Sequence, residues 1–141
     1  MAGLLTQSGS DPVQIELAHW ASTEFRWGQT DCCQSILRYI ERNTGRRLEP
    51  WPNCSSAMSA KRIIERAGGM ASLCRRDLLA LGCIEVPAHV RGDIGLVDLP
   101  EAGPTLCLCL GIDRWAARAE RGIVMFASSA MIAWRLPCRK P

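Results

Sequence analysis

The sequence is poor in histidine, in long apolar runs and in basic tracts. Histidine occurs twice in 141 residues, at His19 and His89. Any chemistry at neutral pH that needs an imidazole must draw on those two positions. No apolar run approaches the roughly 18 residues of a membrane-spanning helix, so no membrane span is expected. The opening stretch, "MAGLLTQSGSDP", has no basic region, and its apolar run is too short for a signal peptide. These absences lead us to expect a soluble chain made in the cytoplasm, a reducing compartment. Lys and Arg number 17 against 14 Asp and Glu, a net charge of +3. The arginines are scattered (Arg46, Arg47, Arg75, Arg76, Arg114, Arg118, Arg121, Arg139), and the five tryptophans are not interleaved with them. They read as a solvated surface, and nucleic acid is not an expected partner.

A C-x-x-C pair is also lacking, although cysteine is abundant. Eight cysteines lie at 32, 33, 54, 74, 83, 107, 109 and 138. Without an export signal they read as free thiols rather than disulfides. Without C-x-x-C a zinc ribbon or finger is not expected, nor is any other metal or a cofactor. Most of these cysteines sit among Leu, Ile and Ala, where a free thiol packs as a small hydrophobe.

What is present is enough for one core. Nearly half the residues are apolar, and the length suits a single domain over 1–141, with residues 1–10 loosely packed. Asp11-Pro12 marks a helix start, with Ser10 or Asp11 as cap, and Val13, Leu17, Trp20 and Ala21 follow at helical spacing. A second helix starts near Asp31 and stops at Gly45. "RRLEPWPNCSS" is a loop, because Pro50 and Pro52 exclude regular structure. Ser55 or Ser56 caps a third helix, with Ala57, Ala60, Ile64 and Ala67 on one face and Gly68-Gly69 at its end. A fourth helix carries Ala71, Cys74, Leu78 and Leu81, and ends at Gly82.

After Gly82 the texture changes. "CIEVPAHVRGDIGLVDLP", "PTLCLCLGIDRW", "GIVMFA" and "MIAWRLP" are short apolar segments punctuated by Gly, Pro and charge, and they read as strands. Helices first and strands afterwards predict an α+β domain with an antiparallel sheet of about four to six strands. In "TLCLCLG", Cys107 and Cys109 face one side and the leucines the other, as in a central strand covered on both faces.

The adjacent thiols at 32 and 33 separate by helical phase. Cys33, Ile36, Leu37 and Ile40 form one apolar stripe, so Cys33 belongs to the core. Cys32 is rotated from it by about 100°. It sits in a helical first turn, where unpaired N–H groups and the positive end of the dipole favour a thiolate. Asp31 opposes that effect unless its carboxylate caps the helix. Spacing alone leaves two readings of Cys32 open, a nucleophile or a space-filler.

"WGQTDCC", "GRRLEPW", "AGGMASL", "RGDIGLVDL", "LCLGI" and "AWRLP" together resemble a family of phage and prophage tail-associated proteins. That family is similar to the NlpC-type cell-wall peptidases, and the resemblance runs from Pro12 to Pro137. It implies a papain-like fold, with Cys32 as nucleophile and Asp31 and Asp93 as orienting residues. The Trp27-Gly28 turn would belong to the binding site. It also implies a catalytic histidine at the start of "TLCLCLG", where Thr105 or a neighbour in the strand stands instead. His89, just before the Gly92-Asp93 turn, is then the candidate base, and His19 a weaker one. Asp93 has a plainer reading as a turn closer, and Trp27 and Trp134 as packed aromatics. Two functions follow. One is a cysteine hydrolase of peptidoglycan peptides, carried on a phage tail. The other is a catalytically inactive structural or assembly component that docks on tail proteins.

Overall fold

The computed structural model describes residues 11–49 and 54–137. The expected loose N-terminus (1–10), the Ser10 cap, Pro50, Pro52 and Cys138 lie outside the described residues. Among those described, the chain forms an α+β fold of four helices followed by six strands. The helices are α1 (Pro12–Ser22), α2 (Cys32–Thr44), α3 (Ala57–Arg66) and α4 (Met70–Ala80). The strands are β1 (Ile84–Glu85), β2 (Ile94–Leu99), β3 (Gly103–Gly111), β4 (Arg114–Ala119), β5 (Gly122–Ala127) and β6 (Ile132–Arg135). They make one antiparallel sheet in the order β1-β6-β2-β3-β4-β5.

Local chemistry sets the helix ends. Asp11 caps α1, its carboxylate accepting from the Val13 amide at 3.1 Å, with Pro12 following. Ser56 caps α3 reciprocally with Ser59. Gly45 closes α2 at φ +76°, a conformation that costs glycine nothing. The stripe expected on α2 is buried throughout: Cys33, Ile36, Leu37 and Ile40. On α1, Val13 and Trp20 are buried, but Ala21 is exposed.

Glu16 is buried on α1, where the spacing promised only apolar side chains. Its carboxylate accepts from Arg42 of α2 at 2.8 Å and 2.5 Å, and from the Trp20 indole at 3.0 Å. A buried carboxylate is tolerated when both oxygens are engaged in this way and the charge is paired. This fork clamps α1 to α2.

The sheet separates two apolar clusters. Ile94, Leu96, Leu106, Leu108, Ala116 and Trp134 pack with the helices. Val97, Cys107, Cys109, Trp115 and Ala117 form a second cluster. The alternation in "TLCLCLG" therefore does place leucines and cysteines on different faces of an interior strand. Trp134, a candidate for a groove, is instead a core residue at 2% exposure. The Trp115 ring packs against Gly95, where an added Cβ would come within 2.4 Å of it. One strand, β4 ("RWAARA"), was not expected over most of its length. The arginines do not all lie in solvent either: Arg118 on β4 is buried.

Glu16→Gln is expected to lower stability by about 1–3 kcal/mol, because it removes the charge that holds Arg42. A shift of the urea unfolding midpoint without a change in slope would register this. An unchanged midpoint would show that the fork contributes nothing.

Candidate functional site

The turn before α2 is built around one carboxylate. Asp31 is 2% exposed. One oxygen accepts from the Gln34 amide at 3.0 Å, which caps α2. The other accepts from the Gly28 amide at 2.6 Å, which fastens the preceding turn. Gly28 has φ +79°, and a Cβ there would lie 2.2 Å from the Cys54 carbonyl oxygen. Only glycine satisfies both the dihedral and the close approach. Trp27 stands beside it, edge-on to Phe25 with ring centroids 5.0 Å apart.

Cys32 follows as the first residue of α2 and is half-buried, whereas Cys33 is buried. The Cys33 thiol donates to the Cys32 sulfur and holds the Cys32 thiol below its ordinary range. The Cys32 and Cys33 amides act in the same sense, while burial and the Asp31 charge oppose them. Cys33 is pushed the other way, by that hydrogen bond and by burial. Burial pushes Cys74 and Cys107 up to about 12 and Cys83 up to about 11, and raises Cys54 and Cys109 as well. Among the seven described cysteines, Cys32 alone is shifted toward the thiolate. Amides and a donor at a helix start favour the anion, as expected of an activated thiol.

Cys32 borders a cavity of about 570 Å³ at the end of the sheet that carries the β2–β3 and β4–β5 turns. Phe25, Trp27, Ile64, Met70, Leu99 and Val124 supply most of its apolar wall. Thr105, which with its strand neighbours stands where the resemblance implies a histidine, lines it too. Its hydroxyl donates to the Gly103 carbonyl at 3.0 Å. Lys61, Glu120 and Arg118 complete the polar part of the lining.

Neither histidine borders this cavity. His89 Nε2 accepts from the Asp113 amide at 3.2 Å, lies 3.1 Å from a carboxylate oxygen of the same residue, and the ring packs at a tilt against Trp115 with centroids 4.7 Å apart. Asp113 lies in the β3–β4 turn. From Thr105 to Gly111, β3 runs six residues, about 20 Å at roughly 3.3 Å per residue. His89 therefore sits at the opposite end of the sheet from Cys32. His19 is exposed on α1. Asp93 is also at the far end, closing its turn through the Val90 amide (2.8 Å) and taking a two-pronged ion pair from Arg135 (both 3.0 Å). The structure thus brings Asp31, Cys32, Trp27 and Gly28 together, and leaves His89 and Asp93 out.

Asp31, Cys32 and Cys33 offer ligand atoms within 4.8 Å of one another, a spacing compatible with a soft metal ion. Three consecutive residues at a helix start meet through chain geometry alone, and both Asp31 oxygens already serve amides. Arg118 was missed from sequence. It falls in the unexpected strand β4, and an Arg among alanines carries no signal of burial.

The molecule is thus an α+β domain with a half-buried cysteine at a helix N-terminus, bordering a largely apolar cavity. Residues 10–136 match the family described as "Domain of unknown function (DUF6950)", and the chain belongs to that family. No curated protein and no solved structure matches it. No helix among the described residues is long and apolar enough to cross a membrane.

Asp31→Asn keeps a carbonyl for Gln34 but sets an NH₂ against the Gly28 amide, a loss of about 1–3 kcal/mol. It also removes the negative charge that raises the Cys32 thiol. The pH profile of Cys32 alkylation is therefore expected to move lower while the unfolding midpoint falls. Movement to higher pH would contradict this account of the electrostatics.

Proposed function

We propose that this chain is an NlpC-like domain of papain type, carried with a phage or prophage tail, whose Cys32 accepts acyl groups from peptide substrates of the cell wall. The observation that carries the reading is the downward shift of Cys32, alone among the described thiols, at the mouth of a cavity large enough for a peptide segment. The tail association and the cell-wall substrate rest on the resemblance of the motifs around Trp27-Gly28, Asp31-Cys32 and Gly92-Asp93. Tail proteins and peptidoglycan peptides are the partners this reading assigns.

The Cys32 thiolate attacks the carbonyl carbon, and the oxyanion forms near the free amides of the first turn of α2. Collapse then breaks the bond to the leaving group and leaves a thioester on Cys32. Water releases the acid and regenerates the thiol. An amine leaves only with a proton, and no imidazole lines the cavity among the described residues to supply it. Water or a group from a partner chain takes that role. Amide cleavage is then slow, and leaving groups that need no proton are favoured.

The second reading, an inactive assembly component, is favoured by one specific observation: His89 is occupied by Trp115 and Asp113 about 20 Å from the cavity end of β3.

Two measurements separate the readings. Iodoacetamide labelling of Cys32 between pH 5 and 8 is expected to outpace that of an ordinary thiol (pKa about 8.5). A nitrophenyl ester is expected to give a burst of one equivalent, lost in Cys32→Ser. Ordinary labelling rates, no burst and intact crosslinks in a peptidoglycan digest would together leave the assembly role.

A further inference from the structure

The mechanism above does not use Arg118, the most unusual side chain bordering the cavity. It is 5% exposed, and two of its nitrogens donate to main-chain carbonyls, Nη1 to Trp20 and Nη2 to Thr23. Its Nε–H is buried and has no partner. Among the described residues no carboxylate forms an ion pair with it. Carbonyl dipoles alone compensate this charge, and burial pulls its pKa below the ordinary arginine range. An uncompensated guanidinium in a low-dielectric wall is unfavourable in the empty chain.

The cavity's own acids do not relieve it. Both oxygens of Asp31 are taken by the Gly28 and Gln34 amides, and Glu120 is exposed. The other buried side-chain atom without a partner, Gln34 Nε2, belongs to a residue that does not line the cavity. What remains is a buried cation at the wall of a largely apolar space, whose other cation, Lys61, is exposed. A guanidinium with an unpartnered Nε–H is suited to a planar anion that can reach it.

We infer that the Cys32 cavity binds a ligand with a free carboxylate and an apolar body, an N-acyl amino acid or the C-terminal end of a peptide, with Arg118 receiving the carboxylate. This deepens the reading of the cavity as the acyl-acceptor site and rests on it for location only. Binding to Arg118 requires no bond cleavage, so it holds equally in a chain that is catalytically inert.

The test uses the full chain, as wild type and as Cys32→Ser. N-acetyl-leucine and N-acetyl-alanyl-leucine are each titrated against their own C-terminal amides, while the Arg118 side-chain Nε–H resonance is followed by NMR. The acids are expected to bind at least about tenfold tighter than the amides and to shift that resonance. A preference for the dipeptide acid would identify a peptide end as the natural source, and equal binding the free N-acyl amino acid. Arg118→Gln is expected to abolish the preference for acid over amide. If Arg118→Gln does not fold without its tie to α1, Arg118→Lys keeps the charge but lacks the fork, and should retain only part of the preference. Equal binding of acid and amide by the wild-type chain overturns the proposal. So does failure of both acids to bind at about 10 mM, or an Arg118 resonance that the acids leave unmoved. Retained binding in Cys32→Ser without any ester burst in the wild type would sink the catalytic reading and leave this one standing.

Discussion

Asp31 holds one oxygen against the Gln34 amide and the other against the Gly28 amide, and the cavity end of the molecule is arranged by that division. A carboxylate at a helix N-cap normally answers one orphan donor. Here it answers two, one inside the helix and one in the turn before it. The turn is therefore fixed relative to the helix axis, and the first helical residue, Cys32, has little freedom in where it points. Gly28 is drawn into the same arrangement, pressed against the Cys54 carbonyl in a conformation that other residues adopt only with strain. The same carboxylate works against the thiolate it positions. The Cys33 thiol and the first-turn amides outweigh it.

Three buried polar groups do comparable structural work elsewhere. Glu16 joins α1 to α2 through Arg42, Asp93 joins the start of β2 to β6 through Arg135, and Arg118 joins β4 to the end of α1. The first two are charge pairs whose lone pairs are largely engaged. Arg118 differs, since it meets only neutral carbonyls. Asp31 likewise meets only neutral main-chain groups, but both its oxygens are engaged, whereas Arg118 keeps one buried N–H without a partner.

His89 shows how proximity in sequence can mislead. It precedes the Gly92-Asp93 turn, which the family resemblance ties to the active site. In three dimensions that turn lies at the far end of β2 from Thr105, and the imidazole covers Trp115. Its packing follows from the second cluster. Trp115 belongs to that cluster, and the loop before β2 sets His89 against its ring.

The sequence by itself determined the helix ends, the placement of Cys33 in the core, and the two-faced character of β3. Each is written within four or five residues, by a capping side chain, a 3.6-residue period or a two-residue alternation, and so needs no knowledge of the rest of the chain. Only the tertiary structure decided that "RWAARA" is a strand, that Glu16 and Arg118 are buried, and that His89 and Cys32 lie far apart. Alanine and arginine favour helix in isolation, and pairing with β3 and β5 overrides that preference. Burial of a charge depends on which distant carbonyl or guanidinium arrives to meet it. The separation of two side chains depends on how the strands between them run, which no local pattern encodes.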